Sequence, residues 1–372
     1  MWRLEIHELD KLFGSLKQDG YQLIGPKVQD RAIIYDEIYS TKDLPQGWTH
    51  EQEAGTYRLT SRSDQAYFGF TVGPHSWKKY LLPPKQRLWK ASQQEGRFTI
   101  EQEPIRAPKM AFIGVRSCEL SAIAIQDRVL YSGDFVDPVY KARRDNILLI
   151  VVQCGKADST CFCTSMNTGP KAEDGFDLAL TEIIEDSEHY FVVESSSERG
   201  TKLLEQIQAE KAPQKSVDAA QQVSENTAKQ IQKRMDTDGL KELLYAQAEH
   251  PQWQDVADRC LSCANCTMVC PTCFCTDVND VTDLTGENAE RWRTWDSCFH
   301  VDYSYIHGGP IRPSVRARYR QWMTHKLASW HDQFDTSGCV GCGRCITWCP
   351  SKIDITAEVA AIRSSTVEQT EE

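Results

Sequence analysis

Cys260, Cys263, Cys266 and Cys270-Pro271 follow the spacing CxxCxxCxxxCP, and Cys339, Cys342, Cys345 and Cys349-Pro350 repeat it. Two-residue gaps let one tight turn aim three thiolates at three irons of a single 4Fe-4S cubane, while backbone N–H groups of the turn face its sulfides. Small residues ease the wrap: Ala264 in the first run, Gly341 and Gly343 in the second. The fourth cysteine of such a run belongs to the other cluster, and the proline after it breaks the local helix. The spacing therefore predicts two 4Fe-4S clusters, one on Cys260, Cys263, Cys266 and Cys349, the other on Cys339, Cys342, Cys345 and Cys270. A pair of zinc sites is the alternative, but zinc modules ordinarily use two CxxC pairs rather than three ligands in succession followed by CP.

Seven of the fifteen cysteines remain. Cys118 follows the apolar run Met110–Val115 and opens a helical pattern, Cys154 follows the run Ile147–Val152, and Cys161 and Cys163 lie on the loop beyond. If the two runs are parallel strands of one βαβ unit, all four cysteines emerge at the carboxyl edge of the sheet, where α/β folds bind ligands. One of them sits at a helix N-terminus, which favours an anion. A third 4Fe-4S cluster is the reading; a structural zinc site and reduced buried thiols are the alternatives. Thr160-Cys-Phe-Cys-Thr recurs as Thr272-Cys-Phe-Cys-Thr. Cys273 and Cys275, with Cys298, leave three readings open: a further cluster completed by His300 or Asp296, ligand duties traded with the N-terminal set, or structural thiols beside the dicluster.

The elements that must position these residues divide the 372-residue chain into three stretches. Residues 1–195 alternate apolar runs with helical patterns; Tyr67–Val72, Met110–Val115 and Ile147–Val152 read as buried strands, with a helix from Glu119 to Leu130. Residues 196–250 are rich in Gln, Glu, Lys and Ala and read as a helical connector. Residues 251–372 hold eleven cysteines, and the 68 residues between Cys270 and Cys339 include a helical stretch from Ser314 to Trp330. The expected fold is an α+β or α/β N-terminal domain followed by a mainly α-helical dicluster ferredoxin domain. Arg312, Arg316, Arg318, Arg320 and Lys326 are set to face the anionic clusters or a partner, or to form a plain solvated helix face.

Composition narrows the function. A net charge of −11 argues against sequence-independent nucleic-acid binding. No stretch approaches the roughly 18 apolar residues of a membrane span, and the charged start MWRLEIHELDKLF has no signal-peptide core, so the expected location is the cytoplasm without membrane insertion. The high, odd cysteine count then speaks for metal ligation rather than disulfides. No GxGxxG opens a helix, so neither flavin nor nicotinamide is expected in this chain, and the absence of GxSxG, HExxH or a Walker lysine leaves no catalytic residue to assign.

Gly114-Val-Arg-Ser-Cys-Glu-Leu-Ser-Ala-Ile, Cys161-Phe-Cys-Thr-Ser-Met-Asn-Thr-Gly-Pro, Trp295-Asp-Ser-Cys and Cys339-Val-Gly-Cys-Gly-Arg-Cys-Ile-Thr-Trp-Cys-Pro together resemble the beta subunit of cytoplasmic NAD(P)-linked nickel-iron hydrogenases, the sulfhydrogenases. The A subunit of anaerobic sulfite reductase is similar too. The resemblance runs from about Met110 to Ile362 and departs at Ser351-Lys352, where Val-Gly is expected. It implies a relay that passes electrons between a flavin subunit binding NAD(P)H and the small and large nickel-iron hydrogenase subunits or other cluster-bearing chains. It also implies extra cluster ligation at Cys118, Cys154, Cys161 and Cys163. A sulfite reductase subunit is the near alternative. An iron-sulfur thiol or heterodisulfide reductase, with Cys273, Cys275 and Cys298 meeting substrate, is the more distant one.

Overall fold

The computed structural model describes residues 1–94, 96–185 and 188–371. Its centre is an eight-stranded sheet in the spatial order Glu210–Lys211, Trp2–Glu5, Glu188–Ser195, Leu178–Glu185, Ile147–Val152, Met110–Val115, Gln22–Gln29 and Ala32–Glu37. Its middle pairs are parallel: Ile147–Val152 lies between Met110–Val115 and Leu178–Glu185, and Met110–Val115 also pairs with Gln22–Gln29. Strands covered on both faces need apolar side chains in both directions, which is why MAFIGV and ILLIVV read as unbroken apolar runs. Ala111, Ile113, Leu148 and Ile150 face the helices Leu9–Gln18 and Glu198–Gln206. Met110, Phe112, Ile147 and Leu149 face Trp77, Tyr140 and the helix Ser117–Leu130.

Tyr67–Val72 is not a strand. Its residues are buried, but side chains distant in the sequence satisfy its backbone: the N–H groups of Tyr67 and Phe68 donate to the Glu182 carboxylate, and Arg116 donates to the carbonyls of Phe68 and Phe70. An apolar run thus packs in the core without a ladder partner.

The stretch expected as a connector contains the helices Glu198–Gln206, Gln214–Gln230 and Leu240–Ala246. The second packs through Ala220 on Ile183, Tyr190 and Val192. Beyond it, Trp253, Val256, Tyr319, Trp322, Met323, Leu327, Ile346, Ile355 and Val359 build a second, helical core. The mixed α/β N-terminal region and the helical dicluster region agree with expectation. A hairpin of Thr276–Thr282 and Asn288–Trp295 interrupts the helical part, and its second strand pairs with Lys85–Gln94, joining both halves of the chain in a four-stranded sheet. Among the described residues no helix is long and apolar enough to cross a membrane.

Candidate metal centre

The two cysteine runs share one backbone design. Positive φ occurs at the second and fourth residues after the leading cysteine: Ser262 (49°) and Ala264 (64°) in the first run, Gly341 (62°) and Gly343 (75°) in the second. In each run the same amide turns back on the leading sulfur, Ser262 N–H to Cys260 Sγ at 3.4 Å and Gly341 N–H to Cys339 Sγ at 3.5 Å. Alternating left-handed residues point consecutive N–H groups into one hollow, the concavity that receives an anionic cluster.

The fourth cysteine crosses over. Cys260, Cys263, Cys266 and Cys349 line one cavity, with Cys345 on its wall. Cys270 lies beside Cys339, Cys342 and Cys345, close enough for each of the three to feel its charge. Cys345 also senses Cys266, so the two rings adjoin.

The four N-terminal cysteines come together as well. The strand Met110–Val115 ends in a register shift at Gly114 (φ 86°), after which Arg116 donates to the carbonyls of Val152 and Gln153 and ties the two strand ends. Cys118 in the first turn of the following helix, Cys154 after the second strand, and Cys161 and Cys163 on its loop line one cavity. Cys342 and Gly341 of the second run line it too, so this ring adjoins the middle one. The contact is close: Phe162 N–H donates to Gly341 O at 2.9 Å, and a Cβ added at Gly343 would lie 2.3 Å from Thr160 O.

Cys273, Cys275 and Cys298 are arranged differently. Cys273 sits against Cys270 and Lys326, with its sulfur 3.7 Å from Lys326 Nζ. Cys275 neighbours Cys298 and Tyr303. His300 is exposed and pairs with Asp296. The repeated Cys-Phe-Cys is a reciprocal lock: Phe162 is fully buried in the helical core, while Phe274 packs against Trp330 and Phe334 beside Cys118 and Cys163. Of the basic residues near the second run, Arg316 and Arg320 pair with Glu249, and Arg318 donates to the carbonyls of Arg312 and Pro313. Lys326 reaches a ring cysteine; Lys78, which no motif marks, lies close by.

The donor set fits an iron-sulfur group. Thiols are soft ligands, and here they surround cavities; among the described residues no three His, Cys, Asp or Glu side chains are placed to hold one metal ion. Burial pushes the thiols of Cys163 and Cys339 up to about 12 and raises those of Cys118, Cys161 and Cys266. Cys270 moves the other way, lowered by the hydrogen bond with Cys273 and by the Lys326 ammonium. Loading such a site releases protons as thiols become thiolates.

Comparison with known proteins agrees with this geometry. Residues 259–353 match the 4Fe-4S dicluster domain family. Over 355 residues, 95% of each chain, the protein is 28% identical to sulfhydrogenase 2 subunit beta of Pyrococcus furiosus. No solved structure matches the chain. The chain thus carries a match to the 4Fe-4S dicluster domain in its C-terminal part and is similar over nearly its whole length to a sulfhydrogenase beta subunit.

Proposed function

We propose that this chain is the electron-transfer subunit of a soluble, cytoplasmic nickel-iron hydrogenase complex, relaying electrons between a flavin- and NAD(P)-binding subunit and the catalytic or other cluster-bearing subunits. The observation that carries the reading is the row of three adjoining cysteine rings. Cys342 is common to the walls of the N-terminal and middle rings, and Cys345 stands between the middle ring and that of Cys260. When bound, 4Fe-4S groups supply reversible one-electron transfer with no bond-making chemistry. The protein's part is to hold the thiolates, aim backbone N–H groups at them and exclude water. Cys118, Cys163, Cys270 and Cys339 are buried, whereas Cys263 is exposed and its neighbour Leu261 is 68% exposed, which places one end of the row at the surface. The near full-length likeness to a sulfhydrogenase beta subunit supports hydrogenase over sulfite reductase as the partner.

Iron and sulfide analysis with EPR of the anaerobically purified, reduced protein tests the reading. About twelve irons per chain are expected for three cubanes, about eight would leave only the dicluster, and about sixteen would bring in Cys273, Cys275 and Cys298. Zinc without iron would overturn it. Cys345→Ser should impair one signal of the dicluster pair, while Cys161→Ser should remove a third signal and leave that pair intact. An unchanged iron count in Cys161→Ser would refute the N-terminal cluster.

A further inference from the structure

Lys326 is 4% exposed and Lys78 6%, and among the described residues neither has a carboxylate partner. A buried ammonium without a countercharge is costly enough that proteins pair it or neutralise it. Lys326 Nζ donates to Cys270 Sγ at 3.2 Å, to Thr272 Oγ1 at 3.2 Å and to Gly338 O at 3.0 Å, with Cys273 Sγ at 3.7 Å. The groups at its nitrogen that can carry negative charge are therefore sulfurs, one of them a member of the middle ring. Lys78 Nζ donates to Cys273 O at 2.9 Å and lies 4.0 Å from the centre of the Trp295 ring, on the same cysteine cluster.

The backbone is shaped to place the first of these charges. The helix Val315–Thr324 gives way to a π-helical turn, His325–Ser329, before continuing as Trp330–Phe334. Such turns are rare and recur at functional sites. Lys326 lies inside it, and Gly338, just before the second cysteine run, is bonded to it twice: its N–H donates to Lys326 O at 2.8 Å and its carbonyl accepts from Nζ. Cys349, the counterpart of Cys270 in the other ring, accepts instead from the neutral Ile353 amide at 3.4 Å.

We propose that Lys326, seconded by Lys78, is a built-in countercharge to the iron-sulfur group of Cys270, Cys339, Cys342 and Cys345, and raises its reduction potential. The inference rests on the reading of that ring as a cluster site. Reduction brings one electron from an external donor and no proton, so the negative charge of the ring grows by one while the ammonium stays fixed. The attraction is therefore greater in the reduced state, and it is little screened because both groups are buried. Lys326 is a positioning and charge-setting residue that acts through Cys270.

The test is potentiometric EPR of the whole protein, poised with dithionite and mediators, with the signal of the middle ring assigned through Cys339→Ser. Lys326→Met keeps the length of the side chain and removes the charge. It should retain the full iron content and lower the ratio of reduced to oxidised middle cluster at fixed potential at least tenfold, ~59 mV for a one-electron couple. Lys326→Arg should restore most of it, and Lys78→Met should shift the ratio in the same direction by less. Full iron content with an unmoved potential in Lys326→Met overturns the countercharge and leaves the cluster reading intact, whereas an iron-free wild-type protein overturns the cluster reading itself. Should Lys326→Met fail to take up iron, Lys78→Met decides: an unmoved potential there overturns the proposal.

Discussion

At the scale of residues, the second run satisfies its left-handed positions with glycine and the first with Ser262 and Ala264, which bear the steric cost of a Cβ near the carbonyl, roughly 1–2 kcal/mol each. The same logic bears on Ser351-Lys352, where the resemblance leads to an expectation of Val-Gly. Lys352 has φ 58° where Val-Gly would have put a glycine, and its N–H donates to Cys349 O at 3.0 Å. Lys352→Gly relieves that strain while adding freedom to the unfolded chain. The net expectation is a gain of about 0.5–1 kcal/mol in urea unfolding of the iron-loaded protein, with unchanged EPR signals. A loss of stability would mean that the lysine side chain contributes more than its backbone costs.

At the scale of elements, legibility in the sequence followed whether an element's partners are local. The strands Met110–Val115 and Ile147–Val152 were legible because burial on two faces writes an apolar run, and the helix Ser117–Leu130 because Leu120, Ile123 and Leu130 recur at helical spacing on the side it turns to the sheet. Tyr67–Val72 has the same apolar character but is held by Glu182 and Arg116, which no local pattern announces. The hairpin in the insert was hidden because Val278 and Val281 are exposed among polar residues and its pairing partner, Lys85–Gln94, lies nearly two hundred residues away. The eight cysteines of the two C-terminal runs stood out by their spacing and the four N-terminal ones by the strand ends they follow, whereas the two lysines beside Cys270 could be weighted only once the fold had buried them.

The hairpin Trp48–Glu53 and Thr56–Ser61 is another element with distant partners, and it carries a titration. His50 is fully buried, its Nε2 lies 2.9 Å from Asp158 Oδ2 and 2.8 Å from Thr71 Oγ1, and its Nδ1 has no partner. Burial lowers its pKa below the usual histidine value, and Lys156 and Arg116 add to the shift while Asp158 opposes it. The unfolded chain then binds a proton near pH 6.5 that the native chain resists. The His50 contribution to stability is therefore present above that pH and is lost as pH falls below it. Thermal unfolding from pH 7.5 to 5 should show Tm falling more steeply in the wild type than in His50→Gln; parallel profiles would place the titration elsewhere.

At the scale of the whole molecule, the rings adjoin because the halves of the chain interlock. Phe162 enters the helical core, Phe274 packs against the N-terminal side, and Gly341 and Gly343 let the second run lie on the Thr160–Cys163 backbone. The polar centre of this interface is Arg344, two residues after Cys342, paired at 2.5 Å with Glu119, the residue after Cys118. Both side chains are 1% exposed; Arg344 also donates to the carbonyls of Gly73 and His75, and Glu119 accepts from Tyr35 and Trp77. One ion pair thus fixes the backbone beside a cysteine of each of two rings. Glu119→Gln leaves the guanidinium buried without its countercharge and should cost about 3–5 kcal/mol, while the double change Glu119→Gln with Arg344→Met should cost less than the two single changes summed. Because the interface runs through both cores, unfolding followed by tryptophan fluorescence and by cluster absorbance should give coincident transitions in the wild type and in Glu119→Gln, shifted together. Separate transitions, with the dicluster absorbance outlasting the N-terminal fold, would show instead that the second half stands by itself and that the pair merely fastens two independent bodies.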